Sequence, residues 1–227
     1  MKQFVQGMLG ASVLVMFLAG CATPNIDKDF QFSAEKDTGL VVGSVTQDDV
    51  PGQGASYATF FFEDSNGNGH MVRSREQFLT RALVQGPDDF SDVVGRLFAI
   101  ELPKGKYRFV RWNMGDGVGH FWPKKDPSPL EFTIERGKVT YIGNLHMQLA
   151  TGTNIVGQTR IANVLPVVSD KSDRDLRVFA SRFPKLKVDD VRKQIVLNGP
   201  WLSDSSASYT SSTPPVPAVA PSRTISK

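Results

Sequence analysis

Two adjacent runs in the middle of the chain alternate between apolar and polar residues, and this period of two constrains the fold more than any other feature. In the run 130–135 the apolar residues would share one face of a strand, and most of those in the run 138–149 would do the same. Gly137 and Lys138 leave room only for a tight connection between the runs. The pattern therefore predicts two β-strands joined as an antiparallel hairpin.

Four earlier segments have the composition of strands. They cover residues 40–46, 57–63, 96–102 and 106–112, which are rich in β-branched and aromatic residues. Three consecutive phenylalanines at 60–62 indicate a strand that is buried on both faces. With 20 Gly and 14 Pro to supply turns, the chain of 227 residues is predicted to be mainly β. Strands joined by short turns rather than by helices favour an antiparallel β-sandwich.

One segment after the strands has the period of a helix. Ser172, followed three residues later by Asp175, is similar to the capping box at the start of a helix, and Pro184 would end it. The apolar residues between them form a single stripe at helical spacing: Leu176, Phe179, Ala180 and Phe183. We expect a small C-terminal helical cap that packs on the sandwich through this stripe.

The N-terminal segment has the form of an export signal. A positive start at Lys2 precedes an apolar run at 8–19, which is much shorter than the roughly 20 residues that a membrane-spanning helix needs. The run ends in Leu18-Ala19-Gly20-Cys21, which resembles the signal box of bacterial lipoproteins. The alternative is an ordinary signal peptide with an incidental cysteine.

The lipoprotein resemblance has consequences for the mature protein. It implies that residues 1–20 are removed and that Cys21 becomes the N-terminus, carrying acyl chains such as palmitate. Two or three chains anchor a protein stably, since each buried CH₂ contributes about 0.8 kcal/mol. Ala22 stands where an Asp would signal retention in the inner membrane. The resemblance therefore implies a lipid-anchored protein of the bacterial cell envelope, at the outer membrane and facing the periplasm.

A second resemblance concerns the turn Leu102-Pro103-Lys104-Gly105-Lys106-Tyr107. It is similar to turns that open a strand in transthyretin-like and carboxypeptidase-regulatory-like β-sandwiches. The segment 132–142 resembles the strands that follow in bacterial lipoproteins of this kind. The resemblance implies a transthyretin-like (Ig-like) sandwich in which Pro103 and Gly105 shape the turn and Tyr107 points into the core. A chance turn in another antiparallel sheet is the alternative.

These features divide the chain into four parts. Residues 1–20 form the signal, 21–38 the lipidated cysteine and a tether, and 39–200 the sandwich with its helix. Residues 201–227 are rich in Ser and Pro and offer little apolar surface to bury, so we expect a disordered tail.

Charge and cysteine content argue against several functions. The chain has 26 basic and 23 acidic residues, so its charge does not favour nucleic-acid binding. The single cysteine, Cys21, allows no intramolecular disulfide and, once acylated, no cysteine catalysis. The sequence has no Gly-x-Ser-x-Gly elbow and no paired-histidine zinc motif, and we expect no cofactor.

The segment 64–70 matches the first half of a calcium loop. Asp64, Asn66 and Asn68 would supply oxygen ligands at the required spacing. Arg75, however, stands where a bidentate Glu belongs. A Gly/Asn hairpin loop between two strands is the favoured interpretation, and a metal site is the alternative.

The segment 112–129 is predicted to be a long loop between strands. It holds Trp112, His120 and Trp122 among glycines, and these rings would form either a ligand-binding surface or a plug over the end of the core. Because no catalytic spacing stands out, we expect a non-enzymatic module that binds an envelope protein, a glycan or a cell-wall component, or that has a structural role. The alternative is a periplasmic hydrolase with an unrecognised active site.

Overall fold

The computed structural model of the protein describes residues 23–51, 56–75 and 88–203, and the backbone of 207–211. The strands are β1 Thr38–Gln47, β2 Tyr57–Asp64, β3 Gly69–Arg73, β4 Val94–Pro103, β5 Gly105–Gly115, β6 Gly119–Pro123, β7 Leu130–Ile134, β8 Val139–Thr153, β9 Thr159–Ser169, β10 Val191–Lys193, β11 Gly199–Pro200 and β12 Ala207–Ser211. Helix α1 spans Ser172–Arg182, and a 3₁₀ turn follows at Val188–Asp190. The prediction of a mainly β chain is confirmed. In the ranges described, no helix is both long enough and apolar enough to cross a membrane.

The strands form two six-stranded sheets. In the first sheet the order is β11-β9-β8-β1-β4, and β10 pairs with the beginning of β8. In the second sheet the order is β12-β6-β5-β2-β3, and β7 pairs with the first half of β5. The pairs of the second sheet are antiparallel, as the sequence predicts.

The first sheet is mixed, which corrects the expectation of antiparallel pairing throughout. Strand β1 runs antiparallel to β4 but parallel to β8. A parallel pair cannot be closed by a short turn and needs a long crossover. The chain from β2 to β7 forms that crossover, so the pairing joins distant segments and leaves no local pattern in the sequence.

The hairpin predicted across Gly137 is wrong in its pairing. Its two strands exist as β7 and β8, but β7 pairs with β5 in the second sheet, whereas β8 pairs with β1 and β9 in the first. The turn, with Gly137 at φ +64°, carries the chain from one sheet to the other. The alternation identifies the core face of β7 and of the second half of β8, since Phe132 and Leu145 both belong to the main core. Val139 and Tyr141, predicted on the same side as Leu145, lie on the other face of the first sheet, because the register of β8 shifts between Tyr141 and Asn144.

Residues of both sheets share this main core. Val41 and Leu145 reach it from the first sheet, and Phe60 and Phe109 reach it from the second. Burying a phenylalanine side chain contributes roughly 1.5–3 kcal/mol. The aromatic and aliphatic side chains of this cluster therefore hold the two sheets together.

A second core cluster lies on the other face of the first sheet, beneath α1. Phe179 and Phe183 of the helix join Leu40 and Val42 of β1 in this cluster. The apolar stripe predicted for the helix is thus the surface that packs on the sheet. Strand β1 is consequently buried on both faces along almost its whole length.

The start of α1 differs from the predicted capping box. Lys171 occupies the N-cap position, and its side chain makes no capping bond. The carboxylate of Asp170 instead accepts a hydrogen bond of 2.8 Å from the backbone N–H of Ser172. Asp175, the predicted partner in the box, turns toward the sheet and is fully buried there.

The first described residues, predicted as part of a tether, are docked on the fold. The backbone N–H of Thr23 donates to the carbonyl of Met71 in β3 at 3.0 Å, and that of Ile26 donates to the carbonyl of Ala99 in β4 at 2.8 Å. Ile26 and two phenylalanines that follow it pack against the second core cluster. Three apolar residues at irregular spacing produce no periodic signal, which is why the sequence has the character of a linker.

The first residues assigned to the tail are part of the fold. Trp201, assigned to the tail, is 2% exposed, and its Nε1–H donates to the carbonyl of Ser128 at 2.8 Å. Residues 207–211 form β12 beside β6, and in this stretch the structure differs from the expected disorder. Ser, Tyr and Thr in this stretch have the composition of an edge strand. Residues 204–206 and 212–227 of the tail, the signal segment and Cys21 lie outside the described residues.

Candidate functional site

The segment 112–129, predicted as a long loop, contains a β-hairpin in which a short turn joins β5 to β6. The carboxylate of Asp116 accepts hydrogen bonds from the backbone N–H groups of Val118 and Gly119, at 2.9 and 2.7 Å. Gly117 completes the turn at φ +83°, a left-handed conformation that residues with a side chain rarely adopt. The glycines that suggested a flexible loop therefore build a tight turn.

This hairpin separates the three residues predicted to bind a ligand. Trp112 lies in the main core and is 4% exposed. Phe121 of β6 also lies in the core, so its neighbours His120 and Trp122 lie on the outer face of the second sheet. The ring centroids of His120 and Trp122 are 6.2 Å apart. The structure thus brings His120 and Trp122 together and places Trp112 on the opposite face.

Trp122 lines a groove of about 570 Å³ on this outer face. We call it the outer groove. Strands β2, β5 and β6 and the segment between β6 and β7 supply its lining residues, which are Phe61, Glu63, Arg108, Val110, Arg111, Trp122, Asp126, Pro127 and Pro129. Of these, the sequence analysis singled out Trp122 as a candidate.

A β-bulge in β5 brings two lining residues to the same face. Phe61 of β2 pairs with Arg111. The next residue, Phe62, pairs with Phe109, which leaves Val110 as an extra residue in β5. Bulges redirect side chains and are common beside functional sites. As a result, Val110 and Arg111 both line the outer groove although they are neighbours in the chain.

Two aromatic rings form the apolar part of the outer groove. The rings of Phe61 and Trp122 are stacked, with centroids 6.0 Å apart and planes inclined by 21°. Phe61 is half-buried, which corrects the expectation that all three phenylalanines at 60–62 are fully enclosed. Such a pair contributes about 0.5–1.5 kcal/mol beyond its buried area. It also presents flat apolar surface to the groove.

Two ion pairs accompany the rings. Arg111 donates to both carboxylate oxygens of Asp126, from Nε and from Nη2, at 2.7 Å in each case. Arg108 donates to one oxygen of Glu63, from Nε at 2.9 Å and from Nη2 at 2.7 Å. Hydrogen bonding from Arg111 lowers the pKa of Asp126 below its ordinary 3.8. The four side chains are partly exposed, so each pair contributes only about 0–1 kcal/mol to the fold.

The predicted calcium ligands lie in the turn between β2 and β3, and the hairpin predicted there is confirmed. The carboxylate of Asp64 accepts hydrogen bonds from the backbone N–H groups of Asn66 and Asn68, at 2.8 and 2.9 Å, and from the Asn68 side-chain amide at 2.7 Å. These bonds, the side-chain bond foremost, lower the pKa of Asp64. The carboxylate thus stabilises its own turn, and the calcium site stays a prediction. Within the described ranges, no three His, Cys, Asp or Glu side chains are grouped to hold a metal ion.

A buried polar cluster beneath α1 has no counterpart among the predicted sites. Asp175 of the helix is fully buried, and its carboxylate accepts hydrogen bonds from the hydroxyls of Ser44 and Tyr141 at 2.6 and 2.8 Å. Arg174 adds an ion pair to the same carboxylate at 2.9 Å. Burial, with the charge of Asp175 second, raises the pKa of the Tyr141 hydroxyl, which therefore stays protonated and donates.

The polar cluster continues along the sheet from Ser44. The side-chain amide of Asn144 donates to Ser44 at 2.8 Å and to Thr46 at 2.9 Å. The Thr46 hydroxyl lies 2.8 Å from Nδ1 of His146, and Nε2 of His146 lies 3.1 Å from the carboxylate of Asp48. Residues of β1 and β8 face each other here in the parallel ladder. Because the crossover alone brings them together, no local sequence signal predicts the cluster.

The Thr46 hydroxyl, the His146 imidazole and the Asp48 carboxylate are linked in the same sequence of groups as the catalytic triad of nucleophilic hydrolases. Thr46, however, is 1% exposed, so its hydroxyl is closed to a substrate. Burial lowers the pKa of His146 more strongly than the nearby Asp48 raises it, despite the 3.1 Å contact. A neutral ring can accept from Thr46 and donate to Asp48. We assign the cluster a structural role, in which His146 is partly buried.

Comparisons with known proteins show no family for this chain. No protein-family model matches it, and no curated protein matches it. One solved structure, a leucine-rich repeat protein from Bacteroides thetaiotaomicron VPI-5482, is 17% identical with a TM-score of 0.27, over 50% of this chain and 14% of that chain. At this TM-score the likeness carries no argument about fold or function.

Proposed function

We propose that the protein is a lipid-anchored envelope protein whose β-domain binds a ligand without catalysing a reaction. The anchor rests on Leu18-Ala19-Gly20-Cys21 at the end of the apolar run. Acylation of Cys21 would fix the domain to a membrane, and Ala22 favours the periplasmic face of the outer membrane. Ligand binding rests on the outer groove, where stacked rings lie between two ion pairs, and this observation carries the proposal.

The finer fold type that we propose is a transthyretin-like β-sandwich. Two layers of four strands, β9-β8-β1-β4 and β7-β5-β2-β3, contribute to the main core. The turn between β4 and β5 supports the same type, because Tyr107 is buried and its hydroxyl donates to the carbonyl of Pro103 at 2.9 Å. Such folds serve many functions, so the function must be argued from the outer groove.

The chemistry of the outer groove favours a carbohydrate ligand. Phe61 and Trp122 offer flat apolar faces, against which the C–H face of a sugar ring can pack. Arg108 and Arg111 lie beside them, each paired with a carboxylate. In such a pair the guanidinium keeps N–H donors that the carboxylate does not use, and the carboxylate keeps lone pairs that can accept further hydrogen bonds. Sugar hydroxyls can use both. Among carbohydrates, a cell-wall glycan is the one that an envelope protein would encounter.

Calorimetric titration of the detergent-solubilised, lipidated protein with soluble cell-wall glycan fragments tests this proposal. We expect Trp122→Ala to weaken binding at least about tenfold, or about 1.4 kcal/mol, because half of the apolar platform is removed. Ile155→Ala is the matched control, since Ile155 is fully exposed and lies outside the groove. Equal affinities of the wild type and Trp122→Ala would contradict glycan binding in the groove. If the groove bound an envelope peptide and no glycan, the ligand would be a protein rather than a carbohydrate.

The alternative function, a periplasmic hydrolase, would use the Thr46, His146 and Asp48 arrangement. It requires the buried Thr46 hydroxyl to become accessible. A screen of ester, amide and glycoside substrates, with and without divalent metal ions, separates the two functions. Turnover that is lost in His146→Gln would favour the hydrolase over the binding module.

A further inference from the structure

The docked segment at residues 23–32 joins the edge strands of the two sheets. Thr23 bonds to β3 in both directions, since its N–H donates to the carbonyl of Met71 at 3.0 Å and its hydroxyl accepts from the Met71 N–H at 3.3 Å. The carboxamide oxygen of Asn25 accepts from the N–H of Ala99 in β4 at 2.7 Å. Ile26 donates to the carbonyl of Ala99 in return. The segment therefore extends from the edge of β3 to the edge of β4.

Packing holds the docked segment in place as well. Ile26, Phe30 and Phe32 lie against the second core cluster. The rings of Phe30 and Phe32 meet edge to face, with centroids 5.4 Å apart. An ion pair of 3.2 Å joins Asp29 to Lys185, which follows α1. These contacts make the segment part of the fold, so it supplies no slack between the membrane anchor and the domain.

The distance from the anchor to the fold follows from covalent geometry. Only Ala22 separates Cys21 from Thr23. Two residues of extended chain span at most about 7 Å. An acylated Cys21 would therefore lie within about 7 Å of the residue that is bonded to the edge of β3. The predicted tether, by contrast, would have allowed the domain to move far from the bilayer.

We infer that the side of the domain formed by β3 and the docked segment rests on the membrane surface, with the partner being the lipid bilayer itself. This inference depends on the acylation of Cys21 that the proposed function includes. Strand β3 is the edge of the second sheet, and β6 lies three strands farther along. At about 4.8 Å per strand, β6 would stand about 14 Å farther from the bilayer. The outer groove then faces sideways, along the membrane plane.

A thiol-attached fluorophore can measure this arrangement, because Cys21 is the only cysteine in the sequence and its thiol would be acylated. Gly69→Cys places the probe on β3, two residues before Met71, where an added Cβ meets open space. Ile155→Cys places the control probe at an exposed site between β8 and β9. The lipidated protein is reconstituted into phosphatidylethanolamine–phosphatidylglycerol vesicles that contain a lipid with a nitroxide headgroup. We expect quenching at position 69 to be several-fold stronger than at position 155.

A lengthened anchor provides the second variant. Twelve Gly and Ser residues inserted between Cys21 and Ala22 would add about 19 Å of flexible reach. The insertion lies before the docked segment and leaves its contacts intact. We expect it to reduce quenching at Gly69→Cys to the level of Ile155→Cys.

The outcomes separate the inference from the function on which it depends. Intact-mass measurement reports whether Cys21 carries acyl chains. If it does, and the two probes are quenched equally or the insertion changes nothing, the orientation is wrong while the anchored function stands. If Cys21 carries no acyl chain, the anchored function fails and the orientation fails with it.

Discussion

Phe121 and Trp122 are neighbours in β6 with opposite surroundings, and replacing each by alanine tests the assignment of the outer groove. Phe121 is 5% exposed in the main core, so Phe121→Ala should cost about 3–5 kcal/mol of unfolding free energy. Trp122 is partly buried and stacks on Phe61. Trp122→Ala should therefore cost only about 1–2 kcal/mol, made up of the lost stacking and of part of its buried area.

Urea unfolding followed by far-UV circular dichroism measures both changes, without relying on the fluorescence of the tryptophan that is removed. With an m-value of about 2 kcal/mol/M, the midpoint should fall by about 1.5–2.5 M for Phe121→Ala and by about 0.5–1 M for Trp122→Ala. The m-value itself should stay constant in both variants. Only Trp122→Ala should combine near-normal stability with loss of glycan binding.

Equal destabilisation by the two substitutions would refute this reasoning. It would mean that Trp122 plugs the core, which is the alternative that the sequence left open, and that the outer groove is not a surface free to bind. A stable Trp122→Ala variant that still binds glycan normally would place the ligand elsewhere on the protein.

The remaining predictions concern the anchor, the polar cluster and the tail. Cys21→Ser should accumulate as an unprocessed precursor without acyl labelling, and normal cleavage would contradict the anchor. Asp175→Ala should cost about 3–5 kcal/mol in urea unfolding, because it leaves buried donors and Arg174 without their acceptor, whereas the exposed Asp173→Ala should cost little. Because burial lowers the pKa of His146 below 6.5, the unfolded chain binds more protons between the folded and unfolded pKa values. The free energy of unfolding should therefore rise with pH through that window, and the contribution of His146 should become independent of pH below the folded pKa, where both states hold the proton. His146→Gln should reduce the difference in stability between about pH 5 and about pH 7.5. Truncation after Leu202 should lower the melting temperature by about one or two degrees, since β12 is an edge strand with little to bury, and a larger drop would show that the tail contributes to the core.

Strands β7 and β8 show what a period of two predicts and what it does not. Alternation placed Phe132 and Leu145 on the core side correctly, because it reports the face that a residue occupies. It did not predict their partners, since both strands face the same core from opposite sheets. Their sequences would alternate in the same way whether or not they paired with each other.

The candidate site was predictable only in part. Trp122 stands out in the sequence because large aromatic residues are rare among glycines and prolines. Arg111 and Asp126 do not stand out, since exposed charges are common. Their ion pair depends on the bulge at Val110, which exists only when β2 and β5 are paired. Long-range pairing also creates the polar cluster around Asp175, so neither feature can be deduced from a single segment.

Strand β1 is the first strand among the described residues, yet both of its neighbours, β4 and β8, are made much later. Non-local pairing of this kind slows folding, because loop-closure entropy is lost before the contacts form. Until β8 exists, β1 has one unpaired edge and two apolar faces, and these are features that promote aggregation. A chain interrupted before Val139 would therefore lack one of the two strands that pair with β1, and its unpaired edge would stay exposed.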